Sequence, residues 1–301
     1  MRNKIKFFLI FLTLIIFSKP MAFSLNLEVT GSLGSLAIDT GRLSNLSSTD
    51  ETFSPQFLPF GQIHLWNSDD RIGFNTGVLI DPILRNRLYG NFTAEFENIF
   101  IETGVFINLL GSNTLLLNPG VTANLIFRIP GIIFAEAGAS STLAYFYSES
   151  EGSHAQYSGN VSLGFWVPYV ICSFNMSLQN FTIRETEHFM ITDELERIYF
   201  RADVFTKNVP YTINVDFGYQ SYRRSYINRS VSGSDIITET ETDELRSLFA
   251  GIEGRFNLNY TTTLIIGLEV PLHSWSTEPA INPPRESLFF KATLGAVFRF
   301  L

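Results

Sequence analysis

Cysteine is almost missing from this chain: Cys172 is the only one in 301 residues. No internal disulfide and no cysteine-based metal site can form. Charge is scarce as well. Asp, Glu, Lys and Arg make up 17% of the residues, less than a soluble domain of this size ordinarily carries. Lys and Arg number 21 against 29 Asp and Glu, a formal charge of −8, and that acidity speaks against nucleic acid or a polyanionic ligand as a general partner. The four histidines, His64, His154, His188 and His273, show neither ligand nor triad spacing. Beyond residue 24 no apolar run reaches the ~20 residues that a transmembrane helix needs. These absences exclude a disulfide-stapled fold, a nucleic-acid binder and a helical membrane protein, and no cofactor or metal is expected.

Aromatic and small residues are abundant instead, with 29 Phe and 21 Gly. The N-terminus has a distinct composition. Arg2, Lys4 and Lys6 precede an almost unbroken apolar stretch from Phe7 to Phe17, which Lys19 and Pro20 end. Ala22-Phe23-Ser24 then offers small residues where a signal peptidase reads. Residues 1–24 are predicted to be a cleaved secretory signal peptide, because the apolar core is too short to anchor in a bilayer. Removing Arg2, Lys4, Lys6 and Lys19 leaves 17 basic residues against 29 acidic, a mature charge of −12.

From Leu25 onward, apolar residues recur at every second position in runs parted by turn residues, the pattern of half-buried strands. Fourteen such runs are predicted: Leu25 to Leu36, Phe57 to Trp66, Ile72 to Asp81, Arg87 to Phe96, Ile99 to Leu109, Leu115 to Ile129, Ile133 to Tyr147, Gln156 to Val167, Val170 to Ile183, Arg197 to Phe205, Thr212 to Tyr222, Leu245 to Phe256, Thr262 to His273 and a closing run ending at Phe300. Pro59 muddles the second run, so strand counts of 12 and 16 are alternatives to 14. Tight links at Glu97-Asn98, Pro130-Gly131, Val167-Pro168, Lys207 to Pro210 and Asn257 to Tyr260 alternate with longer ones at Ser148 to Ala155, Glu185 to Leu195, Arg224 to Glu244 and Ser274 to Glu286. Aromatic residues of the apolar phase stand close to the tight links at Phe96, Phe127, Phe165 and Phe256 and at the chain end at Phe298 and Phe300, a row suited to a membrane interface. Tyr145, Tyr157 and Tyr219 stand toward the other rim.

The closing run carries the clearest signal. Leu288, Phe290, Ala292, Leu294, Ala296, Phe298 and Phe300 are all apolar, while Lys291, Thr293, Gly295 and Arg299 stand between them. This run resembles the closing strand of bacterial outer-membrane β-barrels, of the small monomeric porin type. That family ends on an aromatic; here Leu301 follows Phe300. The resemblance implies recognition by the barrel-assembly machinery, contact with outer-membrane lipid and location in the outer membrane of a diderm bacterium. The expected fold is therefore all-β, a transmembrane antiparallel up-and-down barrel over residues 25–301 with short periplasmic turns, monomeric by default. Closure has a physical cause: unpaired backbone groups are too costly in hydrocarbon for a sheet to keep edges. A soluble β-sandwich also alternates, but it accounts for neither the aromatic row nor the alternation of link lengths.

The other phase of each strand becomes the candidate pore lining. Its acids are Glu28, Asp81, Glu95, Glu102, Glu136, Asp203, Asp216, Glu253 and Glu269; its bases are Arg87, Arg128, Arg197, Arg201, Arg255, Lys291 and Arg299. Nine against seven predicts weak ion selectivity. Hairpin register places Arg201 nearly opposite Asp216 and Glu269 nearly opposite Lys291, and such pairs more often brace a wall than select a solute. The expected function is a pore for passive passage of small hydrophilic solutes. One alternative is a barrel whose long acidic loops, above all Arg224 to Glu244, bind an external partner. Another is a hydrophobic-substrate transporter, for which only inward Phe100, Phe106, Phe134 and Phe249 speak. An enzyme is not expected. His154 and Ser158 are four residues apart on a strand, about 13 Å, beyond hydrogen-bond reach.

Overall fold

The computed structural model describes residues 25–36, 56–67, 72–81, 85–110, 116–143, 154–184, 189–205, 210–232, 235–275 and 290–300. Residues 1–24, the expected signal peptide, lie outside them, as do Tyr145 and His188. The strands are β1 (Leu25–Leu36), β2 (Gln56–Asn67), β3 (Ile72–Asp81), β4 (Arg85–Phe96), β5 (Ile99–Leu110), β6 (Leu116–Ile129), β7 (Ile133–Thr142), β8 (His154–Val167), β9 (Val170–Arg184), β10 (Phe189–Phe205), β11 (Tyr211–Ser232), β12 (Asp235–Asn257), β13 (Thr262–Trp275) and β14 (Lys291–Phe300). Each pairs antiparallel with its neighbours in sequence, and β14 pairs with β1 from Leu25↔Phe300 to Gly34↔Lys291. The result is a closed 14-stranded up-and-down barrel.

Alternation decides which face each residue takes. Val105, Val121, Leu125, Val161, Phe217 and Leu294 are large, apolar and exposed, whereas the residues between them are mostly polar. Which phase points inward follows from three contacts that skip strands: Arg197 of β10 to Glu269 of β13, Arg255 of β12 to Glu28 of β1, and Asn108 of β5 to Gln156 of β8. Three strand steps cover about 14 Å along the wall, a gap that side chains bridge only across the concave side. The polar phase is therefore the interior. Phe96, Phe127, Phe165, Phe256, Phe298 and Phe300 all stand exposed on the outer face near the short turns.

Those turns are tight because single residues take the left-handed backbone region: Glu97 at φ 50°, Tyr169 at 69° and Gly131 at 78°. The tight link expected at Val167-Pro168 is shifted by one residue, since Val167 still pairs with Val170 and Pro168-Tyr169 makes the turn. The largest departure concerns the link expected at Arg224 to Glu244. It is a continuation of β11 and β12, paired from Arg224↔Asp243 to Ser232↔Asp235. Likewise β10 begins at Phe189 rather than Arg197 and pairs with β11 from there. Thr and Ile are frequent in the β11–β12 segment, and Phe189, Ile191 and Thr192 stand in the β10 one; such residues favour strand, but the charged residues of both segments obscured the apolar alternation. β14 runs from Lys291 to Phe300; Leu288, where the alternation begins, lies outside the described residues.

Candidate functional site: the barrel interior

All sixteen candidate lining residues fall on the inward phase. For Asp81 only the backbone position, opposite Arg85, is described. Near the turn-bearing end the charges pair locally. Arg201 meets Asp216 in a bidentate fork, Nε–Oδ1 and Nη2–Oδ2 both 2.7 Å, the geometry that makes guanidinium–carboxylate pairs specific. Register explains it, since Arg201↔Asp216 are direct cross-strand partners. Arg255 reaches Glu253 at 2.9 Å and Glu28 at 3.5 Å, and Arg128 pairs with Glu95. Glu269 lies opposite Lys291 in register as expected, and it also forms an ion pair with Arg197 at 2.7 Å. Register alone could not reveal that contact, because it crosses the chord of the barrel.

Two acids are held by amides instead. Asn91 Nδ2 donates to Glu102 at 2.6 Å, and Asn124 and Asn160 donate to Glu136 at 3.0 and 3.1 Å. Glycine makes room for this layer: a Cβ on Gly138 would lie 2.4 Å from Asn160 Oδ1 and 2.8 Å from Asn124 Oδ1. The same device lays inward aromatic rings flat against the wall. Phe106 covers Gly120 and Phe134 covers Gly164. Rings held flat leave the lumen wider than rings pointing at the axis.

Exposure of the long inward side chains changes along the axis. Near the turn-bearing end Glu95, Arg128, Arg201, Glu253 and Arg255 keep between 32% and 41% of their side-chain surface. Toward the opposite end Arg87, Asn108, Asn118, Thr142, Gln156 and Phe181 are buried. Arg87 stacks its guanidinium 3.8 Å over Phe106 and hydrogen-bonds Asn108, which in turn donates to Gln156. A matching stack faces it from the other wall, with Arg197 4.3 Å over Phe249. Smaller inward residues beside the short turns, Asn26, Ser173, Thr263, Ile265 and Val297, are buried as well, so the exposed surface at that end belongs to these charged side chains. Sequence reasoning missed Asn108, Asn118, Gln156 and Thr142, because uncharged polar residues on an inward phase read only as filler.

Above this layer the extended strands carry Asp193 and Arg224, both buried, joined by Nε–Oδ1 at 2.5 Å and Nη2–Oδ2 at 2.9 Å. Burial disfavours the charge on Arg224, but the Asp193 hydrogen bonds and the charges around it outweigh that and hold the guanidinium above its ordinary pKa. Of the residues weighed for hydrolysis, Ser158 is hydrogen-bonded to Ser140 across the β7–β8 pair at 2.6 Å.

A closed wall, apolar outside and charged within, is the architecture of outer-membrane β-barrels. The chain resembles them. No family model matches it, and no curated protein does. Among solved structures, it is similar to a bacterial polysaccharide outer membrane secretin at 11% identity, over 92% of this chain and 98% of that one, with a TM-score of 0.46. It is similar to the CymD monoaromatic hydrocarbon channel at 8% identity, over 93% of this chain and 89% of that one, with a TM-score of 0.38. For OprB of Pseudomonas putida the values are 10%, 92%, 94% and 0.37. The likeness is one of barrel architecture and carries no substrate across.

Proposed function

We propose that the protein is an outer-membrane channel passing small hydrophilic solutes with weak selectivity, exported by a signal peptide cleaved near residue 24. The carrying observation is the row of paired, partly exposed charges on the inner wall, which hydrocarbon cannot hydrate. Turned to lipid, an Arg or Lys at mid-bilayer would cost roughly 2–4 kcal/mol. Fourteen strands enclose more room than eight-stranded barrels, whose interiors side chains fill, and less than porins of 16–18 strands. The short turns then face the periplasm, and the buried layer of Arg87, Asn108 and Gln156 lies toward the outside. Pairing of most inward charges supports weak rather than strong ion selectivity.

The test is single-channel recording from the refolded mature chain in a planar bilayer. Discrete steps with weak selectivity are expected, and replacing Asn108 and Gln156 by Ala enlarges them. Silence from both proteins, each shown to be folded, would overturn the channel. A second reading, a surface barrel that binds an external partner, is favoured by one observation: β10–β12 rise well beyond the length a bilayer needs. Under that reading, removing residues 226–242 abolishes binding and leaves conductance intact.

A further inference from the structure

The outer face of β10–β13 changes character abruptly along the strands. Register aligns Val204, Ile213, Gly254 and Ile266 in one outward row, then Ala202, Val215, Ile252 and Leu268, then Phe200, Phe217, Ala250 and Val270. Ile198, Tyr219, Leu248 and His273 form the next. The row after that is Glu196, Ser221, Arg246 and Trp275, and beyond it stand Glu194, Arg223 and Glu244. From Tyr211 to Ser221 the chain climbs ten residues, which at a tilt near 40° is about 25 Å, the height of a lipid-facing band. The charged rows therefore begin where the hydrocarbon ends.

We propose that this patch binds the phosphate of an outer-leaflet lipid headgroup, with Arg223 and Arg246 as its ligands; this rests on the membrane placement proposed above. The two guanidiniums are held together by one carboxylate. Glu244 Oε1 lies 3.5 Å from Arg223 Nη2 and 2.9 Å from Arg246 Nε, and it also accepts from Ser221 Oγ at 2.8 Å. Glu194 adds a contact of 3.3 Å to Arg223, and Asn180 donates to Glu194 at 3.5 Å. The Glu244 side chain is only 11% exposed, while Arg223 keeps 44% and Arg246 34%. The clamp is thus set into the wall, while the two arginines that it holds keep more of their surface exposed on the outer face. Below them Trp275 stacks on His273 at 5.5 Å and approaches Tyr219 at 6.0 Å, an aromatic footing at the depth where such rings anchor barrels. Glu194, Glu196 and Glu244 outnumber the two arginines, so long-range attraction is not the source of affinity. Recognition comes from direct guanidinium–phosphate hydrogen bonds, which are charge-assisted, and Glu196 opposes them.

The experiment uses the full mature chain in nanodiscs of phosphatidylcholine doped with lipid A or with the same lipid stripped of its phosphates, followed by native mass spectrometry of retained lipid. Lipid A is expected to be retained roughly tenfold better, the gain of one charge-assisted hydrogen bond. Arg223→Gln with Arg246→Gln removes the preference, and Glu196→Gln increases it. Should the double variant not fold, Arg223→Gln alone is expected to reduce the preference. Equal retention of the two lipids by the inserted protein, or a preference untouched by the arginine variants, overturns the proposal while leaving the membrane reading standing. Failure of the folded chain to enter bilayers overturns both.

Discussion

At the scale of single residues, buried ion pairs and exposed ones have different weight here. Asp193 and Arg224 are both nearly out of contact with water, so removing one strands the other. Asp193→Ala is expected to cost about 3–5 kcal/mol in a denaturant titration of the folded barrel, the usual penalty for an uncompensated buried charge. Arg201 and Asp216 form an equally well-shaped fork, but the arginine keeps 37% of its side-chain surface, and water screens much of its attraction. Loss of that pair therefore shows in permeation before it shows in stability. Arg201→Gln shifts the reversal potential toward cation preference, because it leaves Asp216 unopposed in the lumen. Adding Asp216→Asn restores the original value.

The strand is the next scale, and glycine decides how each strand accepts its neighbour. Gly120 lies under the Phe106 ring, where a Cβ would approach to 2.2 Å. Gly120→Ala must displace a ring that is almost fully buried, and overpacking of that kind costs about 1–3 kcal/mol. Gly159 faces outward, and its Cβ would meet only the Gly138 carbonyl at 3.7 Å. Gly159→Ala is expected to be neutral or slightly stabilising in the same unfolding measurement. The two faces of one hairpin differ just as sharply toward charge. Val215→Arg, on the outer face in mid-band, is expected to cost roughly 2–4 kcal/mol of bilayer stability. Asn214→Lys, one position away, points inward between Asp203 and Glu253, and it alters ion selectivity with little effect on folding.

For the whole molecule the decisive property is closure. β14 pairs with both β1 and β13, so deleting residues 291–301 exposes the edges of two strands at once. In a bilayer those backbone groups have no water to turn to. The truncated chain is expected to lose the folded band in heat-modifiability electrophoresis, whereas removal of residues 226–242, which lie beyond the membrane band, leaves it.

Much of this was legible in the sequence. A period of two assigns residues to one of two faces without any structure, so the fourteen strands, the aromatic row and the inward charges could be read from alternation; it fails past the β-bulge opposite Leu248 and Phe249, which turns His273 and Trp275 outward. Hairpin register also followed, and it placed Arg201 against Asp216. Alternation failed where both phases are polar: β10, β11 and β12 continue through segments whose Glu, Asp and Arg hide the pattern, and these read as links. Only the closed wall decided the rest. The contacts from Arg197 to Glu269, Arg255 to Glu28 and Asn108 to Gln156 join strands distant in order, and curvature brings them within reach. A linear pattern records which face a residue takes, but not which residues meet across the space that the face encloses.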